Sequence, residues 1–201
     1  CSFTVTILRL DIPPAVITCP VSPAAVTAVA GTCFAPVTLL APTINDPCVT
    51  ATYTITNNSL YKTSDTDASG NYPVGTTIVT WTITDNSGNV TTCTQTAVVN
   101  DLMPTISCPP NVSEQIAANL CTKSDVAVGT PTITDNCPNP VLTYVLTGAT
   151  TGSGSGVVPA NQAYNVGVTT VAYTLTDANN NVVSCSFTVT ILRLDIPPAV
   201  I

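Results

Sequence analysis

The sequence predicts an all-β fold of immunoglobulin-like sandwiches in tandem, on three observations. Thr alternates with Val, Ile, Trp, Tyr or Leu in runs such as TTIVTWTIT (76–84) and TTVAYTLT (169–176). That period of two belongs to a strand with one face in a core and the other in water. Turn formers separate the runs, as at Asp85-Asn86-Ser87-Gly88-Asn89, Ala178-Asn179-Asn180-Asn181 and the Pro-rich pieces near 13–23 and 104–110. The third observation is repetition, on two scales.

On the larger scale, residues 1–17 read CSFTVTILRLDIPPAVI and residues 185–201 read the same without a difference, an offset of 184 residues. Neither chance nor ordinary divergence between repeats leaves an identity that long. The chain therefore reads as a window on a polymer of near-identical 184-residue units. On the smaller scale each unit is one module duplicated. VITCP at 16–20 matches TISCP at 105–109, TINDPC at 43–48 matches TITDNC at 132–137, and YPVGTTIVTWTITDNSGNVTTC at 72–93 matches YNVGVTTVAYTLTDANNNVVSC at 164–185. The expected boundaries are residues 1–12 as the last strand of a preceding module, 13–101 and 102–194 as the two modules, and 195–201 as the start of the next.

Within each module, ATYTIT (51–56) and SFTVTIL (186–192) alternate as the longer runs do. Val, Ile and Thr are stiff at the first side-chain torsion, which suits a pleated surface and crowds a helix. One short helical turn around Glu114–Asn119 is the only helical signal. Roughly seven short strands in about 90 residues describe a sandwich of immunoglobulin type, with Trp81 or Tyr173 as the one large core residue of the late central strand. Aromatics are only 5% of the chain, so the cores are thin and disulfides are the expected compensation. The Gly/Ser stretch TGATTGSGSG (147–156), present in the second copy alone, reads as a mobile connection rather than a ligand-contact loop.

Composition excludes several classes of function. Charged residues are 7%, and the four basic ones (Arg9, Lys62, Lys123, Arg193) are scattered against a net charge of −7. Nucleic-acid binding needs a basic stripe, and there is none. The apolar runs are too short for a membrane span. With no histidine, a single glutamate (Glu114) and no phosphate-binding glycine loop, the sequence predicts no enzyme. Nine cysteines become eight per unit, because Cys1 and Cys185 are the same repeat position. An even set without histidine points to disulfides in an oxidising compartment rather than to zinc.

The TCP near each module's start, the TDNC in its middle and the closing VGTT-V-YT-TD-SGN-V-CSFTVT run resemble the hyalin repeat, or HYR domain, an immunoglobulin-like module of extracellular proteins. The resemblance covers residues 13 to 193, with Asp46-Pro47-Cys48 in place of Asp-Asn-Cys and the SGN turn lost at Ala178-Asn179-Asn180-Asn181. Long Thr-rich arrays of four-cysteine copies resemble the repeat region of giant bacterial cell-surface adhesins used in gliding motility. That likeness implies a bacterial cell surface, an extracellular filament, and neighbouring identical units in the same chain as first partners. Surface polysaccharide and cell-surface motor or anchor proteins are the further candidates.

The resemblance also implies the disulfide pairing. Family members with two cysteines keep the positions of Cys19 and Cys93, which leaves Cys33–Cys48 and, in the second module, Cys108–Cys185 and Cys121–Cys137. Cys1 is then unpaired within this window. A straight strand from Cys33 to Cys48 would hold the two too far apart, so Cys19–Cys48 with Cys33–Cys93 stays open.

Calcium is a candidate cofactor. Asp101 lies in the linker NDLMP, and Asp135 and Asp177 lie in loops expected to face it; Asp11, Asp46 and Asp85 repeat the pattern one module earlier. Three converging carboxylates would hold a hard cation and stiffen the array. The plainer reading makes each a turn former capping its own loop. DTDASG (65–70) opens like an EF-hand loop but has Thr76 where the closing Glu is needed, so it reads as a loop. Asn57, Asn89 and Asn111 head glycan-acceptor triplets that are common in any Asn/Thr-rich chain.

Short Pro-containing linkers and strands of eight to ten residues predict an extended array adding about 40 Å per module. The function expected is that of a structural repeat unit giving reach and load-bearing in adhesion or gliding. Two alternatives stand beside it: a glycan- or protein-binding module, and a filament of separate subunits joined by strand donation.

Overall fold

The computed structural model describes residues 2–5, 16–45, 52–62 and 66–194. Every regular element among them is a strand, and the chain divides into two compact units. The first holds residues 1–29 and 34–100, the second residues 30–33 and 101–201.

In the first unit, β1 (Val16–Thr18) pairs antiparallel with β4 (Thr43–Asn45), and β3 (Phe34–Val37) with β6 (Gly70–Pro73). The main sheet has four strands. β2 (Val26–Thr27) lies parallel to β8 (Val90–Asn100), β8 antiparallel to β7 (Gly75–Asp85), and β7 antiparallel to β5 (Tyr53–Asn57). The period of two does its work on β7. Val79, Trp81 and Ile83 are buried, and the threonines between them point away from the core. Ala35, Val37, Leu39, Ala68 and Tyr72 belong to the same cluster. Two buried polar groups satisfy each other there, the Trp81 indole N–H donating to Gln95 Oε1 at 2.8 Å. The Tyr72 hydroxyl donates to the Ala68 carbonyl at 2.6 Å.

The second unit repeats the plan. β9 (Thr105–Ser107) pairs with β12 (Thr132–Thr134), and β11 (Thr122–Lys123) with β15 (Tyr164–Asn165). A five-stranded sheet runs in the order β10 (Val112–Ile116), β17 (Val182–Arg193), β16 (Gly167–Thr176), β13 (Val141–Gly148), β14 (Gly152–Ser155). Val171, Tyr173, Leu175, Phe187, Val189 and Ile191 are buried from its two longest strands. Tyr173 lies opposite Cys185 in the register, as Trp81 lies opposite Cys93. Each unit therefore sets its large aromatic beside a half-cystine.

Three expectations change here. Glu114 lies in β10, not in a helical turn; the one local turn follows it, where Leu120 N–H donates to the Ala117 carbonyl. The Gly/Ser stretch is not a mobile connection, because Gly152–Ser155 forms the edge strand β14. Gly154 lies opposite Tyr144, and a Cβ there would come within 2.7 Å of the Tyr144 hydroxyl oxygen. Glycine is what lets the phenol lie across the edge. The SGN turn is lost from the second copy only in letters. Asn180 adopts φ 67° where Gly88 has φ 85°, and both turns close with the same backbone bonds, Asp85 to Asn89 and Asp177 to Asn181. Asparagine tolerates the left-handed region well enough to stand in.

Candidate functional site

Three disulfides are present among the described residues. Cys19, just past β1, bonds Cys93 on β8, and Cys108, just past β9, bonds Cys185 on β17, with Cα atoms 5.9 and 5.7 Å apart. Each ties the first strand of a unit to its last. The third is Cys33–Cys137, with Cα atoms 4.7 Å apart across 104 residues.

That bond overturns Cys33–Cys48 and Cys121–Cys137 alike, and with them the Cys33–Cys93 alternative. The physical reason is placement. Residues 30–33, in the turn between β2 and β3, belong to the second unit, whose Cys137 lies in the turn after β12. Cys121 is left as an exposed free thiol, with Arg193 Nη2 3.6 Å from its sulfur. Cys48, Cys1, Asp11 and Asp46 lie outside the described residues.

The carboxylates form a site of another kind than the sequence suggests. Asp101 and Asp177 come together through Asn181, whose Nδ2 donates to Asp101 Oδ2 at 2.9 Å and to Asp177 Oδ2 at 2.8 Å. Asn179 Nδ2 donates to the same Asp101 oxygen at 2.9 Å, and Asn136 Nδ2 to Asp101 Oδ1 at 3.0 Å. The backbone N–H groups of Asn179 and Asn181 both donate to Asp177 Oδ1 at 2.8 Å. Asp135 does not join them. Its two oxygens are buried and make no hydrogen bond.

The set Asp101, Asp135 and Asp177 is therefore not a calcium cage. Calcium needs six to eight oxygens turned inward, whereas amide N–H donors occupy the lone pairs of Asp101 and Asp177. Among the described residues no group of three or more His, Cys, Asp or Glu is placed to hold a metal ion. Burial pushes the Asp177 carboxyl up, but the side chain and backbone N–H of Asn181 and the N–H of Asn179 outweigh it, and the net shift is downward. Asp85 repeats the turn in the first unit, its carboxyl lowered mainly by the Asn89 side chain. The Asx turn is the role both copies share.

The other sequence candidates are also placed. Asp67 accepts from Lys62 Nζ at 2.9 Å and from the Ser69 N–H at 2.8 Å, which holds its carboxyl well below the usual range and pins the turn at Asp67–Ser69. Asn57 is buried, with its Oδ1 accepting from the Ser59 N–H, and is closed to glycan transfer in the folded chain. Asn111 is exposed and holds the Thr188 N–H at 2.8 Å. Trp81, Tyr144 and Tyr173 are buried, so none is a platform for stacking a sugar.

Comparison with known proteins agrees with this architecture. The HYR domain model matches residues 10–100 and again 99–191. The chain belongs to the HYR domain family. Two curated relatives are similar to the whole chain: "Hyalin" of Lytechinus variegatus, 31% identical over 205 residues, and "Hyalin" of Strongylocentrotus purpuratus, 29% identical over 206. The chain spans 35% of the first and 15% of the second. Among solved structures, Drosophila N-cadherin EC1-3 aligns over 92% of this chain and 69% of its own at 12% identity and TM-score 0.34. The fibronectin(III)-like modules of Clostridium thermocellum CbhA align over 90% and 95% at 15% identity and TM-score 0.31. The HYR chain is a tandem of two all-β, disulfide-bonded modules. No helix among the described residues is long and apolar enough to cross a membrane.

Proposed function

We propose that this HYR pair is the structural repeat unit of a cell-surface filament or adhesin, supplying reach and load-bearing for adhesion or gliding at a bacterial surface. On this reading its partners are neighbouring identical units of the same chain, anchor or motor proteins at one end and surface polysaccharide at the other. The observation that carries the proposal is the clamp from first strand to last in each unit, Cys19–Cys93 and Cys108–Cys185. A module pulled from its ends gives up only the residues outside the clamp. The cysteines stand 74 and 77 positions apart and the chain between them stays hidden from force, about 250 Å of extended chain in each case. The clamp also stabilises each fold by about 4 kcal/mol on the loop-entropy model, comparable with the whole stability of a small domain.

Force spectroscopy on the chain tests this. Oxidised modules should lengthen by a small fraction of their contour, and a reductant should add about 250 Å per module. Full-length release from oxidised protein would refute the load-bearing reading. The mass of the native protein under denaturing, reducing conditions tests the array: a giant chain supports it, and a species near 20 kDa sinks it.

A further inference from the structure

We propose that the second module holds a slot for an extended peptide strand with basic flanks, between residues 125–130 and 157–160. The inference goes beyond the load-bearing reading and does not depend on it. Its ground is a difference between two copies of one ladder. In the first module β3 pairs with β6 over four residues, from Phe34 with Pro73 to Val37 with Gly70. The pairing then runs on. Leu40 bridges Asp67, the Ala68 N–H donates to the Leu39 carbonyl, and the Ala41 N–H donates to the Thr66 carbonyl, both at 3.0 Å. In the second module β11 and β15 pair over two residues and stop.

The sequence explains the stop. Cys121 stands 88 positions after Cys33, but Thr132 stands 89 after Thr43, so the second copy carries one extra residue in that interval. Asp125 lies there, two residues past β11, in the left-handed region at φ 60°. An extra residue held so bends a strand out of its ladder, as in a β-bulge. The chain on the other side is drawn off as well, because residues 152–155 run along β13 as β14 before the chain reaches Val157. The Val158 N–H goes to the Tyr173 hydroxyl at 3.2 Å instead of to a strand.

Between the two stretches is a cavity of about 460 Å³ lined by Val126, Val128, Val157, Val158, Pro159 and Ala160, with Asp125 beside them. A strand takes up about 4.8 Å across its ladders and about 10 Å between sheet faces, and it rises about 3.3 Å per residue. The cavity therefore takes about three residues of extended chain. Its walls carry the groups a strand needs. The N–H groups of Val126, Ala127, Thr130, Val157 and Ala160 make no hydrogen bond among the described residues, and unpaired backbone of this kind accepts an added strand. The apolar lining suits small β-branched side chains. The Asp125 carboxylate is exposed and makes no ion pair or hydrogen bond among the described residues. On a chain of net charge −7 it favours a strand flanked by Lys or Arg over one flanked by Glu or Asp.

The test titrates acetyl-KVTVTK-amide into the isotope-labelled 201-residue chain and follows the backbone amide shifts. The expected result is saturable shifts at 126–130 and 157–160, with 39–41 and 66–68 unmoved. Acetyl-EVTVTE-amide should bind about threefold more weakly, and Asp125→Asn should remove that preference. A peptide N-methylated at both valines should not bind, because it cannot complete the ladder. The proposal is overturned by the absence of saturable shifts, by shifts centred on the edge strand β14, by equal binding of the two charge forms, or by equal binding of the N-methylated peptide. Deleting Asp125 restores the first copy's spacing and should close the slot, so that the Ala160 amide gains exchange protection and peptide binding is lost. Binding kept by a folded deletion variant also overturns the proposal. Where the deletion does not fold, Ala127→Trp, at an exposed lining position, makes the same test by filling the slot.

Discussion

Ser2–Val5 and Ser186–Val189 are the same four residues, Ser-Phe-Thr-Val, in two different states. Phe187 is 3% exposed within β17, opposite Val171 in the register and stacked on Tyr173 at 6.2 Å. Phe3 is 87% exposed in a stretch that forms no strand. Alternation makes a segment fit to be a strand, but a strand exists only where a neighbour supplies the ladder and a core receives the inward face. The edge strand β14 shows the converse. Gly152–Ser155 has almost no strand propensity, yet it pairs, because β13 offers a ladder and Tyr144 lies across Gly154.

The sharpest way to break this comparison is to make one substitution in both copies. Phe187→Ala should cost the second module about 3–5 kcal/mol, and Phe3→Ala should stay within about 0.5 kcal/mol of the unmodified chain. Urea unfolding followed by tyrosine fluorescence reads both, and equal losses would mean that Phe3 has a core after all. Cys185→Ser, in the same stretch, should cost about 2–5 kcal/mol by opening the Cys108 clamp. A thermal scan with and without reductant checks it, since reductant should then do no further harm to the second module. Gly154→Ala should cost about 1–3 kcal/mol as the Tyr144 ring is displaced. Amide exchange across 152–155 should rise with it if the ring is what holds the edge.

The smallest effect belongs to the hairpin turns that precede the paired strand. Asp85 and Asp177 both have carboxyl pKa values lowered on folding. Their stabilisation is therefore complete above the unfolded value near 3.9 and fades as pH falls through the lower folded value. Asp177→Asn should lower stability at pH 7 and flatten the loss below pH 4. Denaturant midpoints at pH 7, 4 and 2 would show it, and an unchanged acid slope would remove Asp177 from the account.

The carboxylate site was legible only in part. Asp85 and Asp177 stand out as turn formers from the TDNSGN and TDANNN letters alone, since an Asx turn is closed by residues two to four positions away. That Asp101 would be held by Asn136, Asn179 and Asn181 was not legible, because each partner is 35 to 80 residues distant. The same three acidic residues suggested a cation. Amide donors from neighbouring turns, which no spacing rule marks, occupy the oxygens instead.

By itself the sequence determined the strand period, the two modules, the turn at each hairpin and the buried aromatic of each late central strand. These are properties of residues a few positions apart, set by backbone sterics and by which side chains avoid water. Only the tertiary structure decided that a Gly/Ser run closes a sheet edge, and that Cys137 takes Cys33 and leaves Cys121 free. A disulfide forms between whichever sulfurs the finished fold brings within bonding distance, and a repeated sequence offers several equivalent candidates.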